Sequence, residues 1–260
     1  GVATRMPDGA LELAPLTLAA RSLSLDGAAT LGADGWPQAV RLSGRIAEPS
    51  GGMVTLPVPG GETRVAGAEL SLNYDAAQGA GWTGTLRAAR FESPALSAAE
   101  LYIDGDGMLR PPGPGTAGRV TADLALEADG LALADAALAA AVGPRVSGSL
   151  DLSYVQGGPL RVGAMDLRGE SYELRGAVTL AGLSAGFPVN LDLDLRATEL
   201  SRFAPLAGRP LDGAARVTIA GSVTPLSGAF DLDMTGTGQD LAVGLAPVDA
   251  LLAGESRLDL

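Results

Sequence analysis

The chain has 260 residues, of which 47% are hydrophobic and 4% aromatic, and its formal net charge is −12 with no lysine. An acidic chain with singly scattered arginines excludes a nucleic-acid groove, which needs clustered positive charge. The absence of cysteine and histidine excludes thiolate nucleophiles, metal sites built from Cys or His, and histidine bases.

Alternating apolar and polar residues recur along almost the whole chain. In the segment 189–195, valine and leucine occupy every second position, with Asn190, Asp192 and Asp194 between them. This period of two predicts a strand with one apolar and one polar face, which is typical of antiparallel sheets. The same alternation predicts strands at 69–74, 120–127 and 230–235.

A short unit of the form apolar-x-Gly-x-apolar repeats within these strands. With little else between the units, it predicts one continuous segment over residues 1–260. The predicted fold class is all-β, an elongated curved antiparallel sheet with a few short helices crossing or capping it. Examples of the unit are Leu42–Ile46, Trp82–Leu86, Val146–Leu150, Leu174–Val178, Ile219–Val223 and Leu226–Phe230.

Three segments depart from the strand pattern, and each predicts a short helix followed by a new strand unit. The first covers 133–142, with Asp135 as N-cap and a stop at Gly143. The second covers 201–207, with Ser201 as cap and a stop at Gly208. The third covers 247–253, with Pro247 at the first helical position. Helix-bearing modules therefore restart near 133, 201 and 247.

Carboxylates are the catalytic groups that this composition supplies. The pairs Asp192/Asp194 and Asp231/Asp233 suggest an acid and a base, but the alternation places both pairs on the solvated face of a strand. The segment Asp104–Gly107 resembles part of a calcium loop. Because it lacks further oxygen ligands, it is interpreted as a tight turn. No metal site or cofactor is predicted.

The apolar face of the predicted sheet is the remaining functional signal. It either packs into a filled core or forms a groove for hydrocarbon chains, and the residues alone leave both open. Its predicted lining residues are Leu70, Leu72, Leu86, Leu124, Leu126, Leu150, Leu152, Leu174, Val178, Val189, Leu191, Leu193, Leu195, Val217, Ile219, Phe230, Leu232 and Met234.

The helix-to-strand junctions at 203–213 and 250–260, together with the segment 223–234, resemble the central repeats of TamB-like translocation and assembly module proteins, which are AsmA-like. The resemblance is clearest over residues 130–260. It implies a β-taco, a U-shaped sheet with an apolar lumen, in a long periplasmic protein anchored in the inner membrane. It also implies phospholipid transport, and outer-membrane biogenesis with an Omp85-type partner, TamA.

We therefore expect a non-enzymatic periplasmic segment whose groove shields phospholipid acyl chains. The chain begins without methionine and stops within an alternating run, so we expect an internal fragment of a longer protein. The absence of cysteine also suits an oxidising compartment. The alternatives are an assembly scaffold with a filled core and a glycan-acting β-helix enzyme that uses the paired aspartates. Contact of this fragment with TamA, lipid identity, transport direction and oligomeric state stay open.

Overall fold

Strands and turns follow the sequence alternation through most of the chain. The computed structural model describes residues 3–20, 22–48, 50–56, 62–181, 188–224 and 229–259. Contacts group the chain into two units, Gly1–Gly130 with Val155–Gly157 and Leu131–Tyr154 with Gly158–Leu260. These are unit 1 and unit 2 below.

Unit 1 is an antiparallel meander in which most strands pair with the next one along the chain. The exception is a small hairpin, β5 and β6, inserted between β4 and β7, which pair directly. Its strands are β1 (Ala3–Arg5), β2 (Leu11–Ala20), β3 (Leu23–Leu31), β4 (Pro37–Ala47), β5 (Val54–Leu56), β6 (Thr63–Val65), β7 (Gly67–Asp75), β8 (Gly81–Glu92), β9 (Leu96–Arg110) and β10 (Arg119–Asp129).

Unit 2 repeats the meander and adds a helical layer. From β12 to β18 each strand pairs antiparallel with its successor. The predicted class, an all-β antiparallel sheet with a few short helices, is confirmed. The elements are β11 (Ala132–Leu133), α1 (Ala136–Val142), β12 (Arg145–Val155), β13 (Leu160–Arg168), β14 (Tyr172–Leu180), β15 (Val189–Ala197), a 3-10 turn (Leu200–Phe203), α2 (Ala204–Ala207), β16 (Asp212–Thr224), β17 (Ala229–Ala242), α3 (Ala246–Leu252) and β18 (Glu255–Asp259).

All three predicted helices are present, but their starts differ from the prediction, and Leu133 belongs to β11 rather than to α1. α1 is capped as predicted: an Asp135 carboxylate oxygen accepts from the Leu138 N–H at 2.8 Å. Ser201 is not a cap, because it lies inside the 3-10 turn and its hydroxyl donates to the neighbouring Glu199 carboxylate. Pro247 is the second helical residue rather than the first, since α3 already begins at Ala246.

The segment Asp104–Gly107 is not a turn, so that prediction is wrong. It lies in the middle of β9, where Gly105 faces Gly84 of β8 and Leu124 of β10. The segment is another copy of the glycine unit, with both aspartates on the polar face. The prediction failed because an Asp-Gly-Asp-Gly sequence also forms tight turns locally, and only the neighbouring strands favour the extended form. The unit Leu226–Phe230 lies largely outside the described residues.

Most of the fully buried apolar residues have small side chains. Among the described residues the buried apolar set includes one leucine, Leu241, and the most completely buried side chain is Val65 at 1% exposure. Val65 belongs to the β5–β6 hairpin, which reaches β8 through the pair Arg64 and Glu92. Most leucines of the strands are thus excluded from a closed core. The remaining buried apolar residues are Tyr74, Ala88, Ala98, Ala128, Ala141 and Ala197.

Candidate functional site

In unit 1 the predicted lining residues fall into two adjacent rows of cross-strand partners. Leu70 pairs with Leu86, and their row continues through Ile103 to Leu126. The next row on the same face runs from Leu42 through Leu72, Gly84 and Gly105 to Leu124. Cross-strand partners share a face, so the five predicted residues of this unit lie together on one surface. We call it the apolar face of unit 1.

The predicted residues of unit 2 also fall on one face, in four rows. Polar rows alternate with these, as the period of two requires. We call this surface the apolar face of unit 2. The predicted members are, row by row, Leu174, Leu195 and Val217; Leu150, Leu193, Ile219 and Met234; Leu152, Val178, Leu191 and Leu232; and Val189 and Phe230.

The glycines of the repeated unit lie on these apolar faces rather than at turns. Gly176 is the cross-strand partner of Met165 on one side and of Leu193 on the other. A Cβ at this position would come closer than 3.0 Å to the Asp192 carbonyl oxygen. Gly221 stands in the same relation to the Asp231 carbonyl. The missing side chains therefore allow neighbouring strands to approach closely, and they leave a smooth aliphatic surface.

Many side chains on the two faces keep contact with solvent. Leu72, Leu86, Leu193 and Leu232 are each half-buried. Leu70 is 38% exposed and Phe230 is 75% exposed. A leucine in a filled sandwich core is normally almost completely buried. Within the described residues, these faces are only partly covered.

Aromatic residues close part of each face. In unit 1 the Tyr74 hydroxyl donates to the Leu109 carbonyl at 3.2 Å, and the Trp82 indole N–H donates to the Thr121 carbonyl at 2.9 Å. In unit 2 the ring of Phe203 meets the edge of Tyr172, with centroids 6.3 Å apart. Burial raises the pKa of both Tyr74 and Tyr172. The 3-10 turn therefore covers the Tyr172 end of the unit 2 face.

The polar face of unit 2 carries a ladder of aspartates and arginines. Asp166 accepts hydrogen bonds from Arg168 and Arg175, and Asp194 accepts from Arg216. Burial raises the pKa of Asp166, but the two guanidinium groups outweigh this effect and hold that pKa below its ordinary value. Ion pairing of this kind stabilises the charged form.

The candidate acid and base pairs do not form a catalytic arrangement in the described contacts. Asp194 is held by Arg216, while Asp192 is exposed on the same face. Asp231 and Asp233 are exposed on β17. In the described part of the chain, no three acidic side chains lie close enough together to hold a metal ion. The enzyme alternative stays an untested prediction.

A groove of about 690 Å³ lies on the polar face of unit 1, and the sequence patterns did not indicate it. Arg45 pairs with Glu69 at 3.7 Å beside it, and the Arg87 guanidinium lies 5.0 Å from the Tyr102 ring centroid. Small residues at the ends of neighbouring strands, Ala47, Gly67 and Ala89, form a row within the charged lining. This row of small residues is the signal that sequence reasoning missed. The groove is lined by Arg45, Ile46, Ala47, Gly67, Ala68, Glu69, Arg87, Ala88, Ala89, Glu100, Leu101, Tyr102, Glu127 and Asp129.

Comparison with known proteins adds no relative. No protein-family model, no curated protein and no solved structure matches this chain. Among the described helices, none combines the length and the hydropathy needed to cross a bilayer. The two apolar faces and the resemblance of the sequence repeats are therefore the features that bear on function.

Proposed function

We propose that the apolar faces of the two units hold the acyl chains of phospholipids and shield them from water. In this proposal the chain is a periplasmic segment of a TamB-like protein anchored in the inner membrane. It contributes to phospholipid transport towards the outer membrane and so to outer-membrane biogenesis. The segment carries out no chemical reaction and needs no cofactor.

The observation that carries the proposal is the partial exposure of aligned leucines. Leu193 has Gly176 and Ile219 as cross-strand partners, and Leu70 has Gly44 and Leu86. These rows are aliphatic across several strands, yet their larger members remain partly exposed. Exposed apolar area on this scale costs free energy in water, at about 25 cal/mol per Å². Acyl chains laid against the rows remove that cost.

The faces also have the chemistry expected of a site for unspecific hydrocarbon. Leucine, valine and glycine supply a smooth surface, and the charged side chains of β15 point to the opposite face. A site for one defined small molecule normally adds a few converging polar groups. Periplasmic location, the membrane anchor and the Omp85-type partner rest on the sequence resemblance alone.

The main alternative is a scaffold with a filled core that assists outer-membrane protein insertion. It requires the leucines of the apolar faces to be buried against protein. The half-buried state of Leu72, Leu86 and Leu232 supports the groove instead.

Photo-crosslinking tests the groove residue by residue. We would replace single positions of β15 with benzoyl-phenylalanine and irradiate the protein with radiolabelled phosphatidylethanolamine. Lipid adducts are expected at 191, 193 and 195, while 190 and 192 should give few. Equal labelling of both sets, or no labelling at any position, would contradict the proposal.

Charge insertion provides a second test of the same face. Leu193→Asp places a carboxylate among the aliphatic rows, and co-purified phospholipid measured by native mass spectrometry should fall strongly. Thr179→Asp is the matched control, because Thr179 lies on the polar face opposite Arg161 and Asn190. It should retain lipid. Circular dichroism of both variants separates lipid loss from unfolding.

A further inference from the structure

Three buried side-chain polar atoms in the described part of the chain have no hydrogen-bond partner, and they belong to two neighbouring turns of unit 2. Two of them are Nε and Nη1 of Arg202, in the 3-10 turn. The third is Oγ of Ser171, in the tight turn that Gly169 and Tyr172 close between β13 and β14. Buried polar groups are normally paired, and a buried charge without partners is especially costly. These atoms are therefore available to a ligand.

The chain itself neutralises the Arg202 guanidinium poorly. Its Nη2 donates to the Glu170 carboxylate at 3.4 Å, which is longer than a normal charge-assisted hydrogen bond. A Cβ on Gly143, at the end of α1, would lie 2.9 Å from Nη1, so this glycine leaves room for the guanidinium. The Arg202 side chain is 15% exposed and that of Glu170 is 45% exposed. The side where Glu170 lies is thus the side that a ligand can reach.

Arg202 lies beside one end of the apolar face of unit 2. The next residue, Phe203, places its ring against Tyr172, and Tyr172 precedes Leu174 by two positions on β14. Because side chains two positions apart on a strand share a face, Tyr172 continues the aliphatic rows. Burial raises the pKa of Tyr172, and the positive charge of nearby Arg202 opposes that rise. The rows therefore end next to a buried positive charge.

An anionic group with two oxygens is the ligand that suits this guanidinium. Arginine binds phosphate and carboxylate through pairs of parallel hydrogen bonds. Nη2 shares one edge of the planar group with Nε and the other with Nη1, and both of these nitrogens lack a partner among the described residues. An anion that replaces Glu170 on Nη2 therefore reaches an unpaired donor with its second oxygen, on either edge. Ser171, which follows Glu170 in the chain, adds a hydroxyl donor nearby.

We propose that Arg202 binds the phosphate of a phospholipid whose acyl chains lie on the apolar face of unit 2. The inference rests on the proposed lipid function and adds a headgroup site at one end of that face. The phosphate takes the place of the Glu170 carboxylate, which turns into solvent. The acyl chains run from this end along the aliphatic rows. Binding here selects lipids that carry a phosphate over neutral lipids with the same acyl chain.

Two lipids that differ only in the phosphate test the proposal. They are 1-lauroylglycerol 3-phosphate and 1-lauroylglycerol, titrated into the full chain below their critical micelle concentrations. Since the chain has no cysteine, Leu195→Cys carries a single environment-sensitive fluorophore on the apolar face of unit 2 and reports binding at this face alone. We expect the phosphate lipid to bind about tenfold more tightly, as one additional hydrogen-bonded ion pair implies.

Three variants in this labelled background locate the preference. Arg202→Met should abolish the preference and leave binding of 1-lauroylglycerol unchanged. Glu170→Gln, a change at an exposed side chain, should strengthen binding of the phosphate lipid about threefold, because it removes the competing carboxylate. Arg161→Met is the matched control, since Arg161 lies on the polar face opposite Ser153 and Thr179, and it should keep the preference. Circular dichroism checks that each variant is folded.

The possible failures are distinguishable. Equal binding of both lipids by the labelled parent chain would overturn the headgroup site and leave the proposed lipid function intact. No response to either lipid would overturn both proposals. A preference that survives in folded Arg202→Met, or an unchanged affinity in Glu170→Gln, would also contradict the headgroup site. Glycerol 3-phosphate should compete at least about tenfold more weakly than the lipid, because it has no acyl chain to bury. Equal competition would assign the site to soluble phosphates and overturn the proposal.

Discussion

The glycine unit recurs in unit 1 and in unit 2, but the space above Gly44 of unit 1 differs from the space above Gly176 and Gly221 of unit 2. In unit 1 a Cβ on Gly44 would first meet the tip of Leu25, at 3.0 Å. In unit 2 a Cβ on Gly176 or Gly221 would collide with a backbone carbonyl of the next strand. One sequence motif therefore serves side-chain packing in one place and close backbone approach in another, which a reading of the motif alone does not distinguish.

The largest expected effect separates these two roles. Gly176→Ala should lower the free energy of unfolding by about 3 kcal/mol, because the backbone must shift and the residue has a positive φ of 149°. Gly44→Ala should stay within about 1 kcal/mol, since a leucine tip moves easily. Urea unfolding measures both. Equal losses for the two variants would show that Gly44 and Gly176 have the same role.

Tyr74, which is buried, and Tyr172, which is half-buried, give the next comparison. Tyr74→Phe removes the hydrogen bond to the Leu109 carbonyl and should cost about 1 kcal/mol. Tyr172→Phe in unit 2 should be nearly neutral, because its ring contact with Phe203 survives the change. Thermal unfolding of the two variants checks the difference. A larger loss of stability for Tyr172→Phe than for Tyr74→Phe would contradict this prediction.

The helical layer of unit 2 allows a test of capping. Asp135→Ala removes the acceptor for the Leu138 N–H and should destabilise α1 by up to about 1 kcal/mol. Ser201→Ala should have no measurable effect, because Ser201 caps no helix. Hydrogen exchange of the α1 amides is the appropriate readout. Unchanged α1 protection in Asp135→Ala would contradict the capping role.

The smallest expected changes in stability come from aspartates on the polar faces. They are expected to be destabilising in unit 2 and neutral or stabilising in unit 1. Asp166 has a lowered pKa, so its contribution is present above the ordinary aspartate pKa of about 4 and is lost as pH falls through the folded-state value. Asp166→Asn should therefore cost about 0.5 kcal/mol at pH 7, and the cost should shrink as the pH falls below about 4. In unit 1, Asp123 faces Asp106 across the strands, so Asp123→Asn should be neutral or slightly stabilising.

The pH series for both variants is measured by urea unfolding between pH 2 and pH 7. A constant deficit of Asp166→Asn across that range would mean that the ladder of aspartates and arginines contributes through packing rather than charge.

The faces of the strands were predictable because side-chain direction is a local property. Alternation placed Leu191, Leu193 and Leu195 on one side of β15, and the register confirms their common face. The N-cap at Asp135 was predictable for the same reason, since the cap and its partner are three residues apart. Whether those leucines contact lipid stays a prediction.

Features that depend on neighbours distant in sequence were not predictable. Asp104–Gly107 joins β9 because strands β8 and β10 flank it. The groove beside Arg45 and Tyr102 needs five strands to meet at one end. The alternation of Asp104–Gly107 fits a strand as well as a turn, and the groove leaves no periodic signal in any one segment.

The sequence by itself determined the fold class and the division of each strand into an apolar and a polar face, because a period of two is written in consecutive residues. Only the tertiary structure decided which glycines lie against backbone and which aspartates find an arginine. Each of these features depends on which strand is adjacent, because strand pairing brings together residues that are far apart in the sequence.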